Sequence, residues 1–127
     1  MLSVTPRGAV RIVTDTTASL PPGYAEAHGL EVVAQVVIFG EESFLEEREL
    51  SADGFLRRLH ESPILPKTAA PPPGEFVAAY RRQLALGDTI LSLHPSSEVS
   101  GTVRSARTAI ASDFEGADIR VLDTRTI

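Results

Sequence analysis

Apolar and polar positions fall in alternating blocks along this chain, and the blocks predict strands and helices in turn. Arg11-Ile12-Val13-Thr14-Asp15 is a short β-branched run ending in polar residues, the pattern of a buried strand. The hydroxyl-rich stretch Asp15-Thr16-Thr17-Ala18-Ser19 reads as a turn. Pro21-Pro22 opens a short helix to about His28, because proline is well placed at a helix start, and Gly29 stops it. Leu30 to Phe39, with Val32, Val33, Val36, Val37 and Ile38, predicts one long strand. Gly40-Glu41-Glu42 is a turn, and Ser43-Phe44-Leu45 returns as a short edge strand. Ser51 is a suitable N-cap for a helix carrying Phe55, Leu56 and Leu59 on one face, and Ser62-Pro63 ends it.

Leu65 to Pro73 is rich in proline, which pushes each preceding residue out of the helical region, so the segment predicts an extended loop. Gly74-Glu75-Phe76 begins another helix, with Phe76, Tyr80 and Leu84 at i, i+4 and i+8. Gly87-Asp88 is a turn and Thr89 to Leu93 a strand. Pro95 to Thr102 is a second hydroxyl-rich loop, followed by a helix with Val103, Ala106 and Ile110 inward. Ile119 to Asp123 is the last strand, and Thr124 to Ile127 trails off. Strands alternating with helices imply an α/β domain with a mainly parallel sheet flanked by helices. Residues 1–10 are expected to be a lead-in and 11–127 the domain. The chain stops just after a strand, where such folds continue into a helix, so a truncated C-terminus is expected.

Composition narrows the function classes. A length of 127 residues suits one domain, and 43% apolar content supplies a core. The net charge of −5, with no basic cluster, argues against a nucleic-acid binder. There is no cysteine, which removes disulfides, thiolate metal sites and cysteine nucleophiles. The apolar runs are too short for membrane insertion, and Met1 to Arg11 lacks a signal-peptide core, so the cytoplasm is the expected compartment. His28, His60 and His94 have no partner at metal-ligand spacing, so no metal is expected. The acidic residues Glu41, Glu42, Glu46, Glu47 and Glu49 read as a solvated face.

Three polar loops share one arrangement of strand, then Asp, Ser or Thr: Asp15-Thr16-Thr17, Ser96 to Thr102, and Asp123-Thr124. If their strands are parallel neighbours, the loops converge beyond the carboxyl ends, where open α/β sheets bind ligands. The Ser96 to Thr102 loop offers hydroxyls, a glycine and a helix N-terminus, which together bind an anionic oxygen without a basic side chain. The same residues also fit the plainer reading that Ser97 or Ser100 caps the helix. Thr68, in the proline-stiffened loop, is either a rigid ligand contact or an ordinary loop threonine. An enzyme reading would employ Asp15, His94 and Ser100 and requires them within hydrogen-bond reach of one another. No nucleophile elbow, phosphate-binding loop or dinucleotide fingerprint is present. A third reading is a stand-alone interaction module with an exposed apolar face.

The order of motifs resembles the N-terminal domain of the DegV family of bacterial fatty-acid-binding proteins. The matching pieces are Ile12 to Pro21, Pro66-Lys67-Thr68-Ala69-Ala70-Pro71, Gly74-Glu75-Phe76, Ser96-Ser97-Glu98-Val99-Ser100-Gly101-Thr102 with Ser105-Ala106, and Val121-Leu122-Asp123-Thr124. The resemblance implies a lipid-binding protein with no cofactor and no chemistry of its own. It implies a second α/β domain in full-length members, missing from this chain. It also implies a fatty acid whose tail lies in an apolar tunnel and whose carboxylate is held by Thr68 and Ser100. Ser97 and the Gly101 amide are implied helpers, with Asp15, Thr16 and Thr102 at the rim. Some members present the acid to a fatty acid kinase, which makes an acyl phosphate. Where the family usually has Thr-Ser-Gln-Pro, this chain has Thr68-Ala69-Ala70-Pro71.

Overall fold

The structure, a computed structural model, describes residues 9–127. Most of the expected lead-in over 1–10 therefore lies outside the described residues. Strand β1, Val10–Asp15, begins one residue earlier than its β-branched run suggests. A single 3-10 turn, Thr16–Ala18, follows, with the Asp15 side chain accepting from Thr17 N. Helix α1 covers Tyr24–His28 only. The prolines sit in the turn before it, where Pro21 O accepts from Tyr24 N, and Gly23 enters the helix at φ 80°.

The long apolar run is two strands, not one. β2 is Glu31–Val33 and β3 is Val36–Phe39. The break at Ala34-Gln35 has a clear cause. Gln35 N donates to Thr16 Oγ1, and Gln35 O accepts from Glu46 N, so both backbone groups leave the ladder. β4, Glu42–Leu45, follows as the expected edge strand. α2, Ala52–Glu61, is capped by Ser51, whose Oγ accepts from Gly54 N at 3.1 Å. Its Phe55 meets Phe39 with ring centroids 5.8 Å apart.

The proline-rich segment is extended, as expected, but it is not all loop. Lys67–Ala69 forms β5, antiparallel to β3, with Thr68 opposite Val37. Pairing with β3 ends at Val36 opposite Ala69, next to Gln35, whose backbone groups are turned to Thr16 and Glu46. α3, Pro73–Leu84, starts on a proline at its first turn. β6 is Thr89–His94, α4 is Thr102–Asp113 and β7 is Ile119–Asp123. The residues after β7 do not trail off. Thr124 N donates to His94 O, and Thr126 O accepts from Ser96 N.

The main sheet has the order β2-β1-β6-β7, and every neighbouring pair is parallel. A smaller antiparallel sheet has the order β4-β3-β5. The core joins Val13, Val33 and Ile90 of the main sheet to Phe76, Ala79 and Tyr80 of α3 and to Ala106 and Ala109 of α4. With β1, β6 and β7 adjacent and parallel, their three polar loops leave the same end of the sheet.

Candidate functional site

A buried chain of polar side chains runs from the core to that sheet end. Asp15 Oδ2 lies 2.5 Å from His94 Nδ1, and His94 Nε2 lies 2.6 Å from Ser92 Oγ. Ser92 Oγ is 2.7 Å from the Tyr80 hydroxyl. On its other oxygen, Asp15 accepts from Thr17 N, Thr17 Oγ1 and Gln35 Nε2. Gln35 Nε2 also reaches Thr102 Oγ1 at 2.9 Å, and Thr102 Oγ1 lies 2.7 Å from Ser100 Oγ. Asp15, Ser92 and Thr102 have no solvent exposure, and His94 has 2%. Each link satisfies a group that would be costly to bury alone. Burial pushes the Asp15 carboxyl up, but the hydrogen bonds from His94, Thr17 and Gln35 outweigh it and hold the group below the usual carboxylate range. Burial carries the Tyr80 phenol up to about 12, against the opposing effect of the Ser92 hydrogen bond.

This arrangement does not supply what the enzyme reading requires. Asp15 and His94 meet, but Ser100 is separated from them by Gln35 and Thr102. Both ring nitrogens of His94 are engaged, and the serine on Nε2 is Ser92, sealed in the core beside Tyr80.

The Ser96 to Thr102 loop is braced from two sides. Ser97 Oγ donates to Asp123 Oδ2 at 2.6 Å, and Ser97 N points to the same oxygen. Ser97 therefore secures the loop to β7 and does not cap α4. Gly101 is the N-cap residue and carries no side-chain cap. The Thr102 N–H donates to Ser100 Oγ at 3.2 Å. Ser100 is half-buried and, with Ser97 and Gly101, lines a cleft of about 680 Å³ along α4 that includes Arg104 and Arg107.

Thr68 is exposed on β5 and lines a different cavity of about 280 Å³, with Val37, Leu50, Phe55 and Leu56. The two sites are coupled through the segment after β5. A Cβ on Gly101 would lie 3.6 Å from the Ala70 Cβ, and Ser105 Oγ donates to Pro71 O. Thr68 thus stands two residues from the point where its segment touches the residue after Ser100. Asp15 and Thr16 line a third depression of about 380 Å³ with Ala34, Glu46 and Glu47. Glu46 is not part of a solvated face. It is half-buried and accepts from Thr16 Oγ1 at 3.0 Å. Burial pushes its carboxyl above the usual range, aided by the nearby charges of Glu47 and Asp15 and opposed by the Thr16 bond.

Gln35 is the residue that sequence reasoning missed. Its signal was present as a polar side chain inside a β-branched run, flanked by Ala34 where both neighbours on each side are valine. Among the described residues, no helix is long and apolar enough to cross a membrane, and no cluster of His, Asp and Glu is placed to hold a metal.

Comparisons with known proteins agree with this architecture. A DegV domain-containing protein of Clostridium perfringens is 35% identical over 118 residues, which are 93% of this chain and 42% of that protein. A fatty-acid-binding DegV family protein from Thermus thermophilus matches with a TM-score of 0.79 at 33% identity, covering 92% of this chain and 41% of its own. A stearic-acid-binding protein from Eubacterium ventriosum matches with a TM-score of 0.84 at 26% identity, over 93% of this chain and 42% of its own. The chain thus spans about two fifths of the length of the curated relatives it matches. The family model described as "uncharacterised protein, DegV family" covers residues 9–127, and with these likenesses in sequence and fold the chain belongs to the DegV family.

Proposed function

We propose that this chain, with residues 11–127 as one α/β domain, binds a long-chain fatty acid in the cytoplasm and presents it to a fatty acid kinase. Thr68 and Ser100 take the carboxylate, the Gly101 amide assists, and Ser97 braces the loop against Asp123. The observation that carries this reading is the apposition of the two loops, with Ala70 set against Gly101 and Pro71 O bonded to Ser105. It brings the segment carrying a free Thr68 hydroxyl beside the turn carrying Ser100, next to an apolar cavity. The relatives from Thermus thermophilus and Eubacterium ventriosum, described as fatty-acid-binding and stearic-acid-binding, support the same ligand class.

Affinity comes chiefly from the tail. Each buried CH₂ contributes about 0.8 kcal/mol, so a chain of roughly 16 carbons gains far more than two neutral hydrogen bonds supply. The net charge of −5 offers no long-range attraction for an acid. The head-group loops therefore fix orientation and select acids over esters.

Titration of the protein with palmitate, read by calorimetry, tests this. Ser100→Ala and Thr68→Ala are each expected to weaken binding about tenfold. Thr68→Ala leaves the unfolding midpoint unchanged, whereas Ser100→Ala lowers it modestly because Thr102 loses its acceptor, with the variant still folded. Unchanged affinity in both variants overturns the head-group assignment.

A further inference from the structure

We infer that Thr102 and Gln35 are positioning residues that fix Ser100 as a hydrogen-bond donor toward the site, so that the site selects an ionised carboxylate. The inference rests on the fatty-acid reading for its ligand, but its argument uses only the donors and acceptors of the buried chain.

The direction of every bond follows from Asp15. An ionised carboxylate accepts and cannot donate. The Gln35 atom 3.0 Å from Asp15 Oδ1 must therefore be the amide nitrogen, which settles the orientation of the carboxamide. That nitrogen has two protons. One goes to Asp15 and the other points to Thr102 Oγ1 at 2.9 Å. Thr102 thus accepts from Gln35, and its own proton needs an acceptor because the side chain has no solvent exposure. Ser100 Oγ, at 2.7 Å, is the acceptor in reach. Ser100 Oγ also accepts from Thr102 N at 3.2 Å. With both lone pairs engaged, the Ser100 hydroxyl has only its proton left to offer, and the half-buried side chain offers it to the cleft.

The other wing obeys the same logic. Nδ1 of His94 must carry the proton that faces Asp15 Oδ2. Nε2 of His94 then meets Ser92 Oγ, which in turn meets the Tyr80 hydroxyl, so this wing is closed off in the core. A serine free to rotate can donate to a carboxylate or accept from an alcohol. A serine whose lone pairs are taken cannot accept, and it favours the stronger acceptor, the anion.

The test compares palmitate with 1-hexadecanol in the wild type and in Thr102→Val, Thr102→Ser and Gln35→Met. Thr102→Val keeps the side-chain shape but removes the hydroxyl that occupies Ser100. It is expected to reduce the acid-to-alcohol affinity ratio about tenfold, with Thr102→Ser restoring it and Gln35→Met lowering it in part. A purely structural role for Thr102 would weaken both ligands alike, so an unchanged ratio in Thr102→Val overturns the inference. A second measurement needs no ligand. Hydrogen exchange of the Gln35 side-chain amide, followed by NMR, should show both protons slowed relative to an exposed glutamine. Exchange of either proton at the exposed rate overturns the inference by itself. If the wild type takes up no palmitate, the proposed function fails, while the Gln35 exchange still decides whether the donor chain exists.

Discussion

His94 Nδ1 lies 2.5 Å from Asp15 Oδ2, and neither side chain touches solvent. Asp15 is the acceptor on which His94, Thr17 and Gln35 all converge, so its removal leaves several buried donors unpaired at once. Asp15→Ala is expected to cost about 3–5 kcal/mol, because several buried donors lose their acceptor together at about 1–3 kcal/mol each. Urea unfolding followed by circular dichroism measures it. A loss under about 1 kcal/mol, the size of one ordinary hydrogen bond, contradicts the central place given to Asp15.

Acid pH acts on two carboxyls with opposite signs. Burial raises the Glu46 carboxyl above its ordinary value of 4.5, so its charged form opposes folding, and that penalty is relieved as pH falls through the raised value. Asp15 is held below 3.8, so its contribution is complete above that value and is lost as pH falls through the lowered one. The Glu46→Gln variant isolates the first effect, because its amide oxygen still accepts from Thr16. It is expected to unfold at higher urea than the wild type at pH 7, with the gap closing as pH falls through the raised Glu46 value and gone by about pH 4.5. A gap that persists unchanged into acid shows that Glu46 is not destabilised by its charge.

The parallel half of the fold was readable because its signals are local. Val13, Val33 and Ile90 lie in β-branched runs bounded by turn residues, and Phe76 and Tyr80 sit one helical turn apart. The break between β2 and β3 was only half readable. Gln35 stands out as a polar residue within Leu30 to Phe39, but the groups that draw off its backbone come from Thr16 and Glu46, each more than ten residues away. β5 was hidden for the same reason. Prolines announce an extended chain, but only the position of β3 decides whether an extended chain pairs. Thr68 and Ser100 could be named from motifs, whereas the Asp15-Gln35-Thr102 connection links the end of β1, the break between β2 and β3 and the first residue of α4, and exists only once the sheet has formed.

Gly87 offers a control far from the site. A Cβ there would stand 2.8 Å from Ala9 O and 2.7 Å from Arg11 Cγ. The Ala9 carbonyl cannot easily retreat, because it accepts from both Asp88 N and Thr89 N. Gly87→Ala is therefore expected to destabilise by about 1–3 kcal/mol through overpacking, measured as a lower unfolding midpoint. Affinity for palmitate should not change once the variant is folded. A neutral substitution means that β1 and β6 can part at this end more freely than their register implies.

Gly101 separates space from backbone freedom at the junction of the two loops. Its φ of −81° suits any residue, so the glycine is not demanded by conformation. An alanine Cβ would sit 3.6 Å from Ala70 Cβ, an ordinary contact, and Gly101→Ala should leave both stability and palmitate affinity within about twofold of the wild type. Gly101→Val adds methyl groups where Ala70 already fills the gap. The strand end at Lys67–Ala69 must then move away from the Ser100 turn, and Thr68 moves with it. Palmitate binding is expected to fall about tenfold in Gly101→Val, the equivalent of one lost hydrogen bond, with a smaller change in unfolding midpoint. Equal affinity in the alanine and valine variants would show that the spacing between these loops does not govern how the acid is held.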